Sequence, residues 1–270
     1  MERETTMSSA TATRPPAPAA PAAVSALRGL TRSELRLFLR ERVGIFWGVG
    51  FPVVLLIIFG AIPGFRDPVS KDLPGVSILD AYVPILFAFV LAMLALNVVP
   101  PVLAGYREKG ILRRLATTPV GPYRVLTAQL IINMSMAIVT LVILLAVARI
   151  AYHVPLPRQA GGFVLALALA LVALFGLGML IAAVATTGRM ANAIGAILFF
   201  PLMFFSGLWL PIASMPAVLQ HVSHATPLGA AVQALTDSWQ GTFPHPVQLI
   251  TLAAYAIVLP AIAARLFRWE

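Results

Sequence analysis

The chain has 270 residues, of which 60% are apolar and only 11% charged, and it carries a formal net charge of +9. Soluble domains hold about 25% charged residues, so this composition excludes an ordinary soluble fold and points to an all-α integral membrane protein. The chain contains no cysteine, which excludes disulfides, thiolate metal sites and a cysteine nucleophile; its basic residues sit beside apolar runs and read as membrane orientation, not nucleic-acid binding.

Residues 1–26 are rich in Ala, Pro, Ser and Thr, with Pro15, Pro16, Pro18 and Pro21, and lack the continuous apolar core of a signal peptide. They are expected to form a disordered cytosolic tail, and residues 27–270 a single membrane domain. At the start of that domain Arg28, Arg32, Arg36 and Arg40 recur every four residues along one helical face. Leu27, Leu30, Leu35, Phe38 and Leu39 lie largely off that face. Such a helix is expected on the inner membrane surface, its arginines among anionic lipid headgroups. It serves either as a topology anchor or as a lever that also touches a partner.

A helix needs about 20 apolar residues to cross the ~30 Å hydrocarbon layer. Windows of that kind predict six spans, at about 43–65, 81–105, 125–148, 162–187, 190–210 and 246–264. An even number puts both termini on one side of the membrane. Of 19 lysines and arginines, only Arg66, Lys71, Arg149 and Arg158 fall on the opposite side. The excess of basic residues on inner loops therefore places both termini in the cytosol.

Between the second and third spans lies a basic island, Tyr106-Arg-Glu-Lys-Gly-Ile-Leu-Arg-Arg-Leu-Ala-Thr-Thr-Pro-Val-Gly-Pro-Tyr-Arg124. From Gly110 to Thr117 it can form about two helical turns, with Ile111, Leu112 and Leu115 apolar and Arg113 and Arg114 solvated or paired. Pro119 stops this helix and Pro122 restarts the chain at the head of the third span. A short stiff helix tied to two spans would pass a push from a cytosolic partner to both. The candidate coupling residues are Arg107, Glu108, Gly110, Ile111, Leu112, Arg113, Leu115 and Pro119. Glu108 is expected at the start of the short helix, where the helix dipole favours a carboxylate. The alternative is a basic loop that only sets topology.

Inside the predicted spans no Asp, Glu, Lys or Arg stands away from the ends, while Asn97, Gln129, Asn133, Thr140 and Asn192 are present. Proton- and ion-coupled carriers place ionisable groups there, so a self-powered carrier is disfavoured; Na⁺ coupling through carbonyls and hydroxyls stays open. Asn97, Asn133 and Asn192, with Phe205 and Ser206, form the candidate substrate path, against the competing reading of buried Asn as interhelical hydrogen-bond partners. The sequence has no H-E-x-x-H, G-x-S-x-G or G-x-x-x-x-G-K-[ST] motif. No catalytic residue, metal or cofactor of its own is expected, and no ATP site. His221-x-x-His224 lacks nearby co-ligands and reads as outer surface.

The stretch Phe199-Phe-Pro-Leu-Met-Phe-Phe-Ser-Gly-Leu-Trp-Leu-Pro-Ile-Ala-Ser-Met-Pro216, followed by residues 217–237, is divided by prolines into short amphipathic pieces. Trp209 and Trp239 suit the membrane interface belt. A re-entrant helical hairpin from the outer face is expected between the fifth and sixth spans, with protein covering its backbone.

The segment Tyr106 to Val120, the run Phe205-Ser-Gly-Leu-Trp-Leu-Pro211 and the triplet Thr226-Pro227-Leu228 occur in this order in a six-span chain. Together they resemble the permease subunit of ABC type-2 (ABC-2) transporters, in particular the daunorubicin-resistance-like drug-efflux permeases. Thr226 stands where that family more often has Asn. The resemblance implies an exporter in the bacterial cell (inner) membrane, surrounded by membrane lipids. It implies two permease copies, as a homodimer or with a homologous permease, and two separate ABC ATP-binding subunits that hold the ATP and Mg. The cargo it implies is a hydrophobic or amphipathic drug, antibiotic, lipid or glycolipid, with residues 107–118 relaying closure of the ATP-binding subunits. Two other classes remain open: a non-transporting scaffold or sensor coupled to an ABC ATPase, and a membrane-embedded enzyme.

Overall fold

The computed structural model describes residues 46–67, 77–111, 114 and 122–266. The predicted tail and the Arg28 to Arg40 helix lie outside the described residues, as do Leu112, Arg113, Leu115 and Pro119 of the island. Among the described residues the fold is helical throughout, without strands. A π-helical turn, Phe46–Gly50, leads into α1 (Phe51–Ala61) and a 3-10 turn, Pro63–Arg66. Next come α2 (Ile78–Met93), a π turn (Leu94–Val98) and α3 (Val99–Glu108). The chain continues through α4 (Pro122–Tyr152), α5 (Ala160–Val184), α6 (Gly188–Phe205), α7 (Ala217–Ala225), α8 (Pro227–Gln240) and α9 (Pro246–Leu266).

Among the described residues five helical rods are long and apolar enough to span a bilayer: Ile78–Glu108, Leu126–Tyr152, Ala160–Val184, Gly188–Phe205 and Pro246–Leu266. The first predicted span, 43–65, shows the shorter apolar run Gly48–Ala61; its opening residues lie outside the described chain. The α2–α3 rod is the centre of the fold, with 72% of its apolar window buried, whereas α4, α6 and α9 have 33%, 17% and 22%. Val142, Ile150, Ile197, Phe200, Ile250 and Ile257 stand exposed on those outer helices. In a membrane such side chains meet lipid or another chain.

The central rod starts with a reciprocal cap: the Asp80 amide donates to Ser77 Oγ at 3.2 Å and the Ser77 amide donates to Asp80 Oδ2 at 2.7 Å. Its middle is interrupted for a covalent reason. Pro100 and Pro101 have no N–H, and the Val99 amide donates five residues back to the Leu94 carbonyl. The Ala95 and Leu96 carbonyls are thereby left without a donor from their own helix. Both are buried, and each lies against a glycine: a Cβ on Gly178 of α5 would overlap the Ala95 carbonyl, and one on Gly195 of α6 would overlap that of Leu96. The bulge thus lets three backbones close up, with glycine Cα–H groups facing the two oxygens.

The fifth predicted span, 190–210, ends earlier, at Phe205. Ser206 closes the helix and Gly207, at φ +87°, turns the chain, a conformation that L side chains avoid. Beyond it, α7 and α8 form the expected helical pair, and α8 packs against α5, α2 and α9. Its turn is held by a polar chain: Ser223 Oγ donates to the Phe205 carbonyl at 2.5 Å, Thr226 Oγ1 donates to the Ser223 carbonyl at 2.8 Å, and the Gly229 amide donates to Thr226 Oγ1 at 3.1 Å. Thr226 therefore serves as the N-cap of α8, as Asn would. Trp239 is only 5% exposed, so its ring faces the protein interior and not lipid. It sits edge-on to Phe87 and Phe163, with ring centroids 5.7 and 5.6 Å away.

Candidate coupling site and membrane cavity

The antiparallel rods give the molecule two faces, one holding the start of α2 and the other holding Glu108 and the short turn between α5 and α6. On the Glu108 face, two consecutive residues of opposite charge grip that turn. Arg107 donates from its guanidinium to the carbonyls of Ala182 at 3.0 Å and Ala183 at 3.3 Å, and also to that of Ala185. Ala182 and Ala183 belong to the last turn of α5 and Ala185 is its C-cap, so these carbonyls have no partner within the helix. Glu108 Oε2 accepts the Gly188 amide at 3.0 Å, and Thr187 Oγ1 accepts that of Met190 at 3.1 Å. A cation thus sits on the negative end of α5 and an anion on the positive end of α6, the favourable sense for both dipoles.

This differs from the sequence expectation for Glu108. It ends α3 instead of opening the short helix, and its carboxylate caps a different helix about 80 residues along the chain. Gly110 follows at φ +66°, breaking the direction of α3, and its carbonyl accepts the Arg114 amide at 3.1 Å, the first bond of a new turn. Ile111 is half-buried there and Arg114 exposed. Gly188 packs against the Pro101 carbonyl and Gly105, so the end of α3 and the start of α6 touch backbone to backbone. Close above, Gln129 Nε2 donates to Tyr106 Oη at 3.3 Å, and Asn133 Nδ2 donates to Gln129 Oε1 at 3.2 Å.

A family comparison matches residues 25–238 to the ABC-2 type transporter family. The chain belongs to that family. As an ABC-2 protein it is a multi-pass membrane permease component without an ATPase site of its own, and it works with an ABC ATP-binding subunit. Comparison with curated proteins finds no match.

The candidate path residues of this ABC-2 chain are not gathered in one place. Asn97 lines a cavity of about 450 Å³ between α1, α2 and α6, walled by Phe51, Phe59, Phe89, Met93, Phe199 and Trp209. Its amide is the polar point in an aromatic wall, 3.7 Å from Met93 Sδ. The volume suits a small-molecule ligand. Asn133 instead lies in the Gln129 cluster on α4, its Oδ1 buried without a partner. Asn192 is exposed on α6. Phe205 and Ser206 build the α6 terminus, Ser206 Oγ donating to the Met203 carbonyl at 2.7 Å. The residues that sequence reasoning missed are the gripped ones, Ala182, Ala183, Ala185 and Gly188. The available signals were the adjacent opposite charges at 107 and 108 and the Thr187-Gly188 cap.

Proposed function

We propose that this chain forms the membrane path of an ATP-driven exporter that moves hydrophobic or amphipathic compounds, such as a drug, antibiotic, lipid or glycolipid, out of a bacterial cytoplasm. In this reading six spans leave both termini and the Glu108 face in the cytosol. Two permease copies assemble with two ATP-binding subunits, which supply ATP and Mg. Membership of the daunorubicin-resistance-like group belongs to the same proposal.

The observation that carries the mechanism is the grip of Arg107 and Glu108 on the α5–α6 turn. The island from Gly110 to Pro119 receives the ATP-binding subunit through Ile111, Leu112 and Leu115, and Arg107 and Glu108 join its movement to α5 and α6 as well as to its own spans. α6 carries Ala196, Phe199 and Phe200 on the cavity wall, so a shift at Gly188 reaches the cavity through one helix. Asn97 offers the bound compound a single amide, and the rings offer apolar area. The Arg28 to Arg40 helix lies along the inner surface and steadies the first span.

The test is transport itself. The chain, reconstituted with its ATP-binding subunit in proteoliposomes, moves a lipophilic cation or dye only with ATP. Phe89→Ala raises the half-saturating cargo concentration roughly tenfold, the effect expected for one well-buried anchor, and leaves basal ATP hydrolysis unchanged. ATP hydrolysis without net movement of any cargo identifies a scaffold or sensor, and movement driven by an imposed proton gradient alone restores the self-powered carrier.

A further inference from the structure

A second cavity, of about 270 Å³, opens on the opposite face, between the start of α2, the segment before α5 and the end of α8. Asp80, Arg158, Thr236, Trp239 and Thr242 line it, and neither the coupling site nor the aromatic cavity shares a residue with it. Asp80 is only 8% exposed. One of its carboxylate oxygens accepts the Ser77 amide, and no described residue pairs with the other. A carboxylate this little exposed is stabilised by a cationic partner, and the cavity that Asp80 lines is open to one. Arg158 is exposed, its stem packed beside Gly241, the left-handed residue that ends α8. No ion pair joins the acid to the base among the described residues. The lining of the cavity therefore includes one negative and one positive group that do not pair with each other.

Depth narrows the ligand. Asp80 is the third residue of a rod of 31 residues, about 46 Å long at 1.5 Å per residue. The hydrocarbon layer is ~30 Å thick, so the terminal turns of this rod lie among lipid headgroups. Pro84, Ala81 and the Trp239 ring add an apolar wall suited to the methylene carbons of a headgroup.

We infer that this cavity binds a headgroup unit that carries an ammonium beside a phosphate, the ammonium on Asp80 and the phosphate on Arg158, and that its source is the lipid phosphatidylethanolamine. The same chemistry exists in free phosphoethanolamine; the depth of the site favours the lipid. An anionic phosphatidylglycerol headgroup would satisfy Arg158 but leave Asp80 facing negative charge.

The experiment uses the full chain in nanodiscs made from equal amounts of phosphatidylethanolamine and phosphatidylglycerol, with retained lipid read by native mass spectrometry. The wild-type chain keeps phosphatidylethanolamine preferentially. Asp80→Asn preserves an acceptor for the Ser77 amide, and Arg158→Gln alters an exposed side chain; each lowers the preference roughly tenfold, as for loss of a hydrogen bond to a charged group. Ser77→Ala weakens the same helix start without touching either charge and keeps the preference, which separates the site from the fold. In detergent, free phosphoethanolamine is added as a second arm. Thermal stabilisation of the wild type but not of Asp80→Asn, without any lipid preference, assigns the site to the soluble unit and upholds the chemistry. Equal retention of both lipids with no effect of phosphoethanolamine, or a preference unchanged in Asp80→Asn and Arg158→Gln, overturns the inference.

Discussion

Replacing Arg107 by Met keeps the apolar stem of the side chain and removes the guanidinium that holds the end of α5. Three carbonyls, those of Ala182, Ala183 and Ala185, lose their donor together. A hydrogen bond to a charged group contributes about 1.5–3 kcal/mol, and a cation at a helix C-terminus about 0.3–1 kcal/mol through the dipole. The three contacts share one group and one desolvation, so the sum is not additive; the expected loss is about 2–3 kcal/mol. Arg107→Lys should fall between, because an ammonium is a point charge that cannot span three acceptors as a planar fork does. The assay is thermal unfolding of the purified chain in detergent, combined with hydrogen exchange at residues 182–190. Arg107→Met should lower the midpoint by several degrees and speed exchange at the Gly188 and Met190 amides, because the turn that presents them is no longer fixed. Unchanged exchange there, with an unchanged midpoint, would show that the arginine merely rests on the turn.

Gly195→Ala puts a methyl group onto the Leu96 carbonyl and should destabilise the chain by about 1–3 kcal/mol, the usual range for overpacking; Gly105→Ala, where a Cβ meets nothing within 4 Å, is the control that should stay near wild type. Thr226→Val removes the cap of α8 and should cost about 1 kcal/mol in thermal unfolding, whereas Thr226→Asn should cost little. On topology, the cysteine-free background lets single cysteines report sidedness: His221→Cys, exposed on α7, should react with an impermeant thiol reagent in intact cells, and Arg114→Cys should not. Labelling at 114 from outside would reverse the orientation.

The long apolar helices were legible because their chemistry is local: a run of apolar side chains must leave water. Helix ends were less so. Leu208, Trp209 and Leu210 are apolar enough to extend α6, yet Gly207 turns the chain first, since a left-handed glycine costs nothing that hydropathy counts. The proline pair at 100 and 101 removes two helical donors, but the carbonyls it frees find glycines on two other helices, a long-range fact absent from any window. The same holds for the island. Its charges and its position between two apolar runs were visible, but Arg107 and Glu108 engage residues 75 to 80 positions away, and the opposite charges and the Thr187-Gly188 cap point to each other only once the fold brings them together. Trp239 is a further case: its residue type gave no sign that the ring turns inward against Phe87 and Phe163.

The central claim is that the island receives the ATP-binding subunit and hands its movement to α5 and α6. The most direct measurement compares Leu115→Arg with Arg107→Met in the assembled complex, reading co-purification of the ATP-binding subunit and cargo-stimulated ATP turnover together. Leu115→Arg should lose the ATP-binding subunit, because an apolar docking anchor carries about 2 kcal/mol or more. Arg107→Met should keep that subunit bound while losing the stimulation by cargo. Full stimulation in both variants would contradict the account and reduce the island to a loop that sets topology.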